Sequence, residues 1–309
     1  MIRPTHSLAV AVFAAAILRA GTFVDAASGP APRATPMAVA TLISGSAFEY
    51  TVKQGDDFSS LGSRYGEGPN LMARENGMKN NARLKVGTQL RINNRHIVPM
   101  QIAEGIIINV PQRMLYYFKG GKLASAYPVA AGKANPKWHT PMGAFEVAEL
   151  REHPTWHVPP SIQAEMEEKG DEVLEEVPPG PDNPLGDYWI GLSIHGIGVH
   201  ATNAPLSIYS NRTHGCIRLH PEDANTLFHA VDIGLPGEIV YQPLMLARLG
   251  DGRIFIESNR DIYTRRTGGI DAVKALADAN RIGNLIDWKL AADVINDSDG
   301  IAREVSLKR

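Results

Sequence analysis

The sequence is almost without cysteine: Cys216 is the only one among 309 residues. With a single cysteine the chain cannot form an internal disulfide, so no covalent cross-link of this kind supports the fold. A lone thiol is either a buried, unreactive side chain or a group with a chemical task. The residues around Cys216 decide between these two interpretations.

The sequence also lacks a marked excess of charge. Lysine and arginine together number 31 and aspartate and glutamate 33, which gives a formal net charge of −2 and an isoelectric point of about 6.6. A nucleic-acid-binding protein needs a clear basic excess, so this class of partner is excluded. Hydrophobic residues make up 44% of the chain, the balance of a globular protein with length for two or three domains.

No apolar run is long enough for a typical membrane span. The longest run, from Leu8 to Leu18, follows the positive charge of Arg3 and is shorter than the roughly 20 apolar residues that a spanning helix needs. Small residues ending at Ala26 are typical of a signal-peptidase site. Residues 1–26 are therefore predicted to be a signal peptide, with an uncleaved membrane anchor as the alternative. The protein is expected to be exported, to the periplasm or cell envelope.

Two features of the next 68 residues indicate a linker and a small domain. Residues 27–46 are small, polar and proline-rich, and are predicted to be the linker. Residues 47–94 carry the pattern of a strand, two short helices and a second strand. Tyr50 and Val52 indicate the first strand, and VGTQLRI indicates the second. Asp56 or Asp57 would cap the first helix, which carries Phe58, Leu61 and Tyr65 on one face. The second helix would begin at Pro69, carry Leu71 and Met72, and end at Asn76 and Gly77. We predict a small α+β module of order βααβ.

The segment 47–94 resembles a LysM module. The resemblance is carried by YTVKQGDDFSSLGSRYG, by Asn70 and Asn76, and by LKVGTQLRI. LysM modules bind glycans that contain N-acetylglucosamine, so in an exported bacterial protein the resemblance implies peptidoglycan as a partner. A small structural domain without a glycan ligand is the alternative.

Strand-forming residues dominate after a second predicted linker at 95–103. The runs GIIINV, RMLYYF and LASAYPVAAG are rich in β-branched and aromatic residues, and KGGK forms a turn between two of them. A mainly-β domain is therefore predicted at residues 104–242. Within it, residues 151–187 contain a cluster of prolines around an acidic, helical stretch, AEMEEKGDEVLEE. A long insertion in a compact domain is usually functional, so we expect a lid over a site.

The thiol lies in the stretch NRTHGCIRLHPEDA, with His200, His214 and His220 close to it in sequence. A free thiol has a pKa of about 8.5 and is mostly protonated at neutral pH, so a nucleophilic cysteine needs a base such as histidine. Gly215 would let the backbone approach a substrate carbonyl closely. A helix is predicted to begin at Pro221, with Ala224, Leu227, Phe228 and Val231 on one face.

The stretch HATNAPLSIYSNRTHGCIRL resembles the active-site motif of the L,D-transpeptidases (the YkuD type). That motif is a histidine usually followed by Gly-Thr-Asn, then about a dozen residues, then Ser/Thr-His-Gly-Cys. Supporting matches are TPMGAF, HPTWHVPPSI, PPGPDNPLGDYWIGLS and PEDANTLF, all between residues 104 and 242. Ala201 stands where the family usually has glycine. This departure matters only if the position needs a positive φ, because alanine retains the carbonyl that can hold the imidazole.

The resemblance implies a mechanism without metal or cofactor. Cys216 would attack the carbonyl that precedes the terminal D-alanine of a peptidoglycan tetrapeptide stem, and His200 would take the thiol proton and later protonate the leaving amine. Backbone N–H groups around Gly215 and Cys216, together with His214, would bind the oxyanion. The thioester would then pass to an amine of a second stem. His195 is the alternative base, but His200 keeps the motif in register, and His195 is expected on the preceding strand.

Substrate-binding roles are expected for Arg218, Thr213, Ala201 and Asn203. The guanidinium of Arg218 would bind a stem carboxylate, with an ion pair to Glu222 or Asp223 as the alternative. Residues 243–309 are expected to form a C-terminal α/β extension, with a strand in DGRIFIESNRDIY and helices in DAVKALADAN and NLIDWKLAADVI.

Other functions remain open at this point. A structural zinc protein would use His195, His200, His214, Cys216 and His220 as ligands, although the paired spacings of such sites are absent. A cell-wall-binding protein would keep the LysM module and an inactive second domain. With water as acceptor the same residues would make an L,D-carboxypeptidase, and with an amine of an envelope lipoprotein an anchoring enzyme.

Overall fold

The computed structural model describes residues 37–265 and 268–308. The predicted signal peptide, 1–26, and the first part of the predicted linker, 27–36, lie outside these residues. Within the described residues no helix is long and apolar enough to cross a membrane.

Residues 37–46 are structured, and the prediction of a linker is wrong for this part. They contain two short strands, β1 (Val39–Ala40) and β2 (Ile43–Ser44). β1 pairs in parallel with residues 246–247, and β2 pairs with residues 96–97. The prolines that indicated a linker end at Pro36, whereas apolar residues after it pack against neighbouring cores.

The segment that resembles a LysM module has the predicted βααβ order. Its elements are β3 (Ala47–Thr51), α1 (Phe58–Tyr65), α2 (Pro69–Glu75) and β4 (Gln89–Asn93), with β3 and β4 antiparallel. Asp57 caps α1 in a reciprocal pair with Ser60, and Gly66 ends the helix in the left-handed conformation. Pro69 occupies the first position of α2, where its missing N–H costs nothing. Local sequence chemistry therefore determines both helices.

The second predicted linker, 95–103, is also partly structured. It contains β5 (His96–Ile97), whose two residues are fully buried, and Val98 is buried as well. The prediction of a linker is wrong for this part, because the chain enters the protein interior directly after Arg95.

The region from residue 104 to 242 is built on an eight-stranded sheet. Its order is β16-β14-β13-β10-β17-β6-β7-β8, antiparallel except for the pairs β6–β17 and β14–β16. The strands of the region are β6 (Gly105–Asn109), β7 (Met114–Lys119), β8 (Lys122–Pro128), β9 (Ala131–Gly132), β10 (Gly143–Glu152), β11 (Trp156–His157), β12 (Glu176–Val177), β13 (Tyr188–Leu192), β14 (Gly198–His200), β15 (Asn211–Thr213), β16 (Ile217–Arg218) and β17 (Pro236–Val240). β9 pairs with β15 and β11 with β12. The prediction of a mainly-β domain is confirmed.

The proline-rich insertion, residues 151–187, is ordered around one buried amide. Asn183 is fully buried and donates to the carbonyl oxygens of Pro154 and Val177 at 2.8 and 3.1 Å. Between β11 and β12 the insertion carries the helix α3 (Pro160–Lys169). The predicted helical stretch, 164–176, is wrong in extent, because Gly170 adopts a left-handed conformation that ends the helix.

The helix predicted after the cysteine is present as α4 (Pro221–Phe228), with Pro221 at its first position. Ala224, Leu227 and Phe228 are buried in the core that the sheet forms, together with Val231 after the helix end. This packing anchors the chain immediately beyond the thiol.

The C-terminal extension forms an α/β layer with its own core. Its strands are β18 (Leu244–Arg248), β19 (Ile254–Ser258) and β20 (Ala302–Glu304), and its helices are α5 (Gly269–Ala279) and α6 (Trp288–Asp297). The sheet order is β1-β18-β19-β20, so a strand from the N-terminal side of the LysM-like segment completes it. The described residues therefore cluster as one compact unit.

A fully buried polar cluster joins the three parts of this unit. The carboxylate of Glu257 on β19 accepts hydrogen bonds from the backbone N–H of Ile97 at 2.6 Å and from the amide of Gln112 at 2.9 Å. His96 places Nδ1 3.1 Å from Glu257 and Nε2 2.9 Å from the carbonyl of Gly66. Both ring nitrogens therefore face oxygen atoms, and the carboxylate receives several N–H groups.

Removing Glu257 should destabilise the whole unit. Glu257→Ala leaves His96, Gln112 and the Ile97 N–H without their acceptor in the interior, which should cost about 3 kcal/mol or more of unfolding free energy. Urea unfolding of the folded chain measures this. Glu304→Gln, an exposed carboxylate on the neighbouring strand, is the control and should show little change. Equal effects of the two substitutions would contradict a stabilising role for the cluster.

Candidate active site

The thiol loop, residues 214–216, connects β15 to β16 and is held by two threonines. The Thr213 hydroxyl donates to the carbonyl of Cys216 at 2.6 Å and accepts from the N–H of Gly215 at 3.1 Å. The hydroxyl of Thr140 donates to the carbonyl of Gly215 at 2.9 Å. Thr213 is 1% exposed, so it orders the loop from within. It also lines the cavity beside the thiol, and its expected role in substrate binding stays a prediction.

Glycine is required at position 215. Gly215 has φ +116°, which an L side chain rarely adopts, and a Cβ there would lie 3.2 Å from the side chain of Ile197. The residue therefore allows the sharp turn that presents Cys216 after a strand. Its N–H donates to the hydroxyl of Thr213.

The Cys216 thiol is partly exposed and neutral at physiological pH. Its Sγ donates to the carbonyl of Gly196 at 3.5 Å. Burial raises the pKa of the thiol above its usual range, and the backbone of Gly198 and the charge of Arg218 lower it by less. The thiol is therefore not a preformed thiolate.

His200 lies beside the thiol loop at the end of β14. β14 and β16 run in parallel, with His200 opposite Arg218, so the imidazole and the start of β16 share one sheet edge. His200 Nδ1 lies 2.6 Å from the carbonyl of Ala201, which fixes the tautomer with Nε2 as the acceptor. Ala201 does not have a positive φ, so alanine serves here without strain.

The pKa of His200 is lowered to about 4, first by burial and second by the charge of Arg218. The ring of Trp189 stacks beside the imidazole at 5.9 Å between centroids, which contributes to its shielding from water. His200 is therefore neutral at pH 7, the form that a general base requires.

His195 lies apart from this arrangement. It is exposed in the turn between β13 and β14, and the expectation that it belongs to the preceding strand is wrong, because β13 ends at Leu192. The turn brings the Gly196 carbonyl, rather than the His195 ring, to the thiol.

Arg218 makes no ion pair within the described residues. The expected alternative partner Glu222 binds Arg64 of α1 at 2.5 Å instead. Arg218 Nη1 lies 3.4 Å from the hydroxyl of Ser207, and its Nε has no hydrogen-bond partner among the described residues. Burial lowers the pKa of the guanidinium, yet it stays charged at neutral pH. An unpaired, half-buried guanidinium at the site is suited to bind a carboxylate.

Cys216, His200, His214 and Arg218 line one cavity of about 550 Å³. Its remaining walls come from three places. The insertion contributes ten residues, namely Trp156, Pro159, Ser161, Ile162, Glu165, Met166, Lys169, Asp171, Pro184 and Leu185. Lys137 and Trp138 precede the insertion, and Gly196 and Thr213 follow it. Asn203 is exposed outside this lining and donates weakly to Pro181, and Ala201 is buried behind His200. Five of the eight expected site residues therefore line this cavity, Gly215 lies in the thiol loop beside it, and Ala201 and Asn203 lie outside its lining. Within the parts of the chain that the structure describes, no three His, Cys, Asp or Glu side chains group as metal ligands.

Three residues near the thiol loop were missed from the sequence. Thr140 holds the Gly215 carbonyl, and Tyr263 of the C-terminal extension binds both the N–H of Thr140 and the carbonyl of Gly132 at 3.0 Å. Glu165 of α3 reaches His214 at 2.7 Å. Thr140 begins the stretch TPMGAF, and this match to the family could have indicated it as a site residue, whereas no local sequence pattern marks Tyr263 or Glu165.

Comparison with known proteins places the two regions in known families. Residues 103–239 match the family model of the L,D-transpeptidase catalytic domain, and residues 50–93 match that of the LysM domain. Probable L,D-transpeptidase ErfK/SrfK of Escherichia coli (strain K12) is 30% identical over 226 residues, 72% of this chain and 72% of that protein. Probable L,D-transpeptidase YcfS of the same strain is 29% identical over 231 residues, 74% and 72% of the two chains.

Solved structures show a looser likeness. The catalytic domain of an Enterococcus faecium L,D-transpeptidase is 22% identical and covers 45% of this chain and 98% of its own, with a TM-score of 0.33.

Alkylation of Cys216 should report a neutral thiol beside a neutral histidine. Since the thiol pKa is raised and the His200 pKa is about 4, the alkylation rate should climb about tenfold per pH unit from pH 5 to 8. Arg218→Gln should move the curve to higher pH, because the guanidinium favours the thiolate. Arg212→Gln, an exposed arginine on β15, is the control. A rate plateau between pH 5 and 7 would instead indicate a preformed thiolate–imidazolium pair.

Proposed function

Because this chain belongs to the L,D-transpeptidase family, we propose that it is an exported enzyme that cross-links peptidoglycan through a thioester on Cys216. The observation that carries this proposal is the convergence of the only thiol, a neutral buried histidine and an unpaired guanidinium on one cavity. The LysM domain and the predicted signal peptide support action on the cell wall outside the cytoplasm.

In the proposed acylation step, Sγ of Cys216 attacks the carbonyl carbon that precedes the terminal D-alanine of a tetrapeptide stem. His200 accepts the thiol proton at Nε2 and returns it to the nitrogen of D-alanine as the C–N bond breaks. The resulting imidazolium is stabilised by the Ala201 carbonyl at Nδ1. In the second step an amine attacks the thioester, its proton passes to the histidine, and the thiol is released.

The developing oxyanion is assigned to the N–H of Cys216, with His214 nearby. Gly215 contributes the conformation of the loop rather than its own N–H, which Thr213 occupies. A fixed donor next to the reacting carbonyl lowers the barrier without reorganisation during the reaction.

Recognition of the donor stem is assigned to Arg218 and the apolar wall of the cavity. The guanidinium would bind a stem carboxylate, and Trp156, Ile162 and Met166 would cover the peptide. The last two residues belong to α3, which supports the interpretation of the insertion as a lid over the thiol.

The acceptor is proposed to be an amine, either of a second stem or of an envelope lipoprotein. The apolar side chains of the insertion on one side of the cavity support transfer over hydrolysis, because they would limit the approach of water to a thioester. An L,D-carboxypeptidase, with water as acceptor, is the second candidate. The products from purified stems distinguish them: a dimer requires an amine acceptor, and a tripeptide alone indicates water.

A carbapenem should acylate the protein at Cys216. A strained amide resembles the scissile bond, so we expect a stoichiometric mass increase that maps to the peptide containing Cys216. Cys216→Ala should abolish both the adduct and stem cross-linking while the protein remains folded. His200→Gln should slow adduct formation by roughly 100-fold, the usual contribution of a general base, and His195→Gln should leave it unchanged. Equal rates for the two histidine variants would contradict the assignment of the base.

The LysM domain should tether the protein to glycan strands. The Cys216→Ala protein is expected to sediment with purified peptidoglycan, since binding does not need the thiol, and tethering raises the local stem concentration around the cavity. Soluble oligomers of N-acetylglucosamine should release it, whereas glucose oligomers of equal length should not. Retention despite the first competitor would show that this domain is not the tether.

A further inference from the structure

The helix α3 covers the cavity without a hydrophobic anchor of its own. None of its ten residues is fully buried, although Ile162, Glu165, Met166 and Lys169 line the cavity. A helix held by core packing would bury an apolar stripe. The position of α3 over the thiol therefore depends on contacts at its polar side chains and on the ends of the insertion.

Glu165 makes the direct contact between α3 and the thiol loop. Its Oε2 lies 2.7 Å from Nε2 of His214, and its Oε1 lies 3.5 Å from Nζ of Lys133 and 2.6 Å from Nζ of Lys169. The Glu165 side chain is 19% exposed, so these contacts are partly shielded from water. Hydrogen bonds from Lys169 and His214 lower the pKa of Glu165 to about 2, so the carboxylate is charged at neutral pH.

The same nitrogen of His214 faces a cation and an anion. Nζ of Lys133 lies 3.0 Å from Nε2, and the Glu165 carboxylate lies closer. One nitrogen cannot donate to a carboxylate and accept from an ammonium at once. Because Lys133 has Glu165 as its own partner, the consistent arrangement has the Nε2 proton pointing to Glu165. The carboxylate thereby fixes both the tautomer and the orientation of the ring.

His214 cannot turn freely on its other side. The indole ring of Trp138 packs edge-on against the imidazole, with 4.4 Å between ring centroids. The ring is therefore held between Trp138 and Glu165. Since His214 lies two residues before the thiol, in a loop that Thr213 and Thr140 already order, the position of its ring is coupled to that of Cys216.

We propose that Glu165 is a positioning residue that acts through His214, orienting its imidazole and latching α3 over Cys216. This inference rests on the proposed function for its place in catalysis, but the latch itself is a property of the folded chain. Opening of the contact between Glu165 and His214 would widen access to the partly exposed thiol. The latch thus sets both access to the thiol and the geometry beside it.

Size-selective alkylation tests the latch. The rate for a bulky maleimide bearing a polyethylene glycol chain, divided by the rate for iodoacetamide, measures how often α3 uncovers Cys216. Glu165→Gln should raise this ratio roughly fivefold, the population change that loss of one partly shielded ion pair supports. Glu168→Gln removes the same charge from an exposed position of the same helix and should leave the ratio unchanged. Equal ratios in the two variants would overturn the latch.

A double substitution tests whether Glu165 acts through His214. In the His214→Gln background, Glu165→Gln should produce little further change in the ratio, because the contact is already lost. A full additional effect would overturn the coupling. In stem cross-linking, Glu165→Gln should lower kcat more than it changes KM, since the ring beside the thiol loses its orientation.

The two proposals fail differently. If the wild-type protein neither cross-links stems nor forms the carbapenem adduct while the alkylation ratios behave as expected, the proposed function fails and the latch stands. If cross-linking occurs and Glu165→Gln matches Glu168→Gln in both the alkylation ratio and kcat, the latch alone fails. Thermal unfolding of each variant shows that the compared proteins are folded, and α3 buries no residue whose loss would unfold the domain.

Discussion

The carboxylate of Glu257 is the constraint around which the three parts of this protein assemble. A fully buried charge is tolerated only where several donors meet it, and here the donors come from β5, from Gln112 after β6 and from Asn259 after β19. His96 extends the cluster to the carbonyl of Gly66 at the end of α1. The LysM domain is thereby held to the catalytic region by a specific polar contact rather than left on a free tether. Surface pairs such as Arg64–Glu222 add to this contact from outside.

Hydrogen bonds from buried side chains also order the thiol loop, in a chain that has no disulfide to support it. Thr213 and Thr140 bind the backbone of residues 215 and 216, and Tyr263 holds Thr140 in turn. The C-terminal extension therefore contributes through Tyr263 to the order of the thiol loop. Burial keeps both the thiol and His200 neutral, so the reactive ion pair is expected to form only as the substrate is attacked.

Elements with strong local signals agree with the sequence. The Asp57 cap, Pro69 and Pro221 at first helical positions, and the apolar strands of the large sheet were all predictable from neighbours in the chain. The structure of the two predicted linkers and the extent of α3 were not predictable in this way. Short strands such as β1 and β5 have too few residues for a periodic pattern, and their burial depends on partners far away in sequence. The end of α3 at Gly170 depended on one left-handed residue inside an acidic, helix-favouring stretch.

The sequence by itself predicted Cys216 as the nucleophile and His200 as its base, because the motif from His200 to Arg218 lies within one short stretch of the chain. Only the tertiary structure decided which groups order the thiol loop and which shift the pKa values of Cys216 and His200. Asn203 lies outside the cavity, Thr213 orders the thiol loop, and Glu222 pairs with Arg64 rather than with Arg218. Glu165 contacts His214, which is 49 positions away in sequence. Such contacts join side chains that share no local pattern. They follow from the packing of sheets and insertions, which depends on the whole chain rather than on any one segment of it.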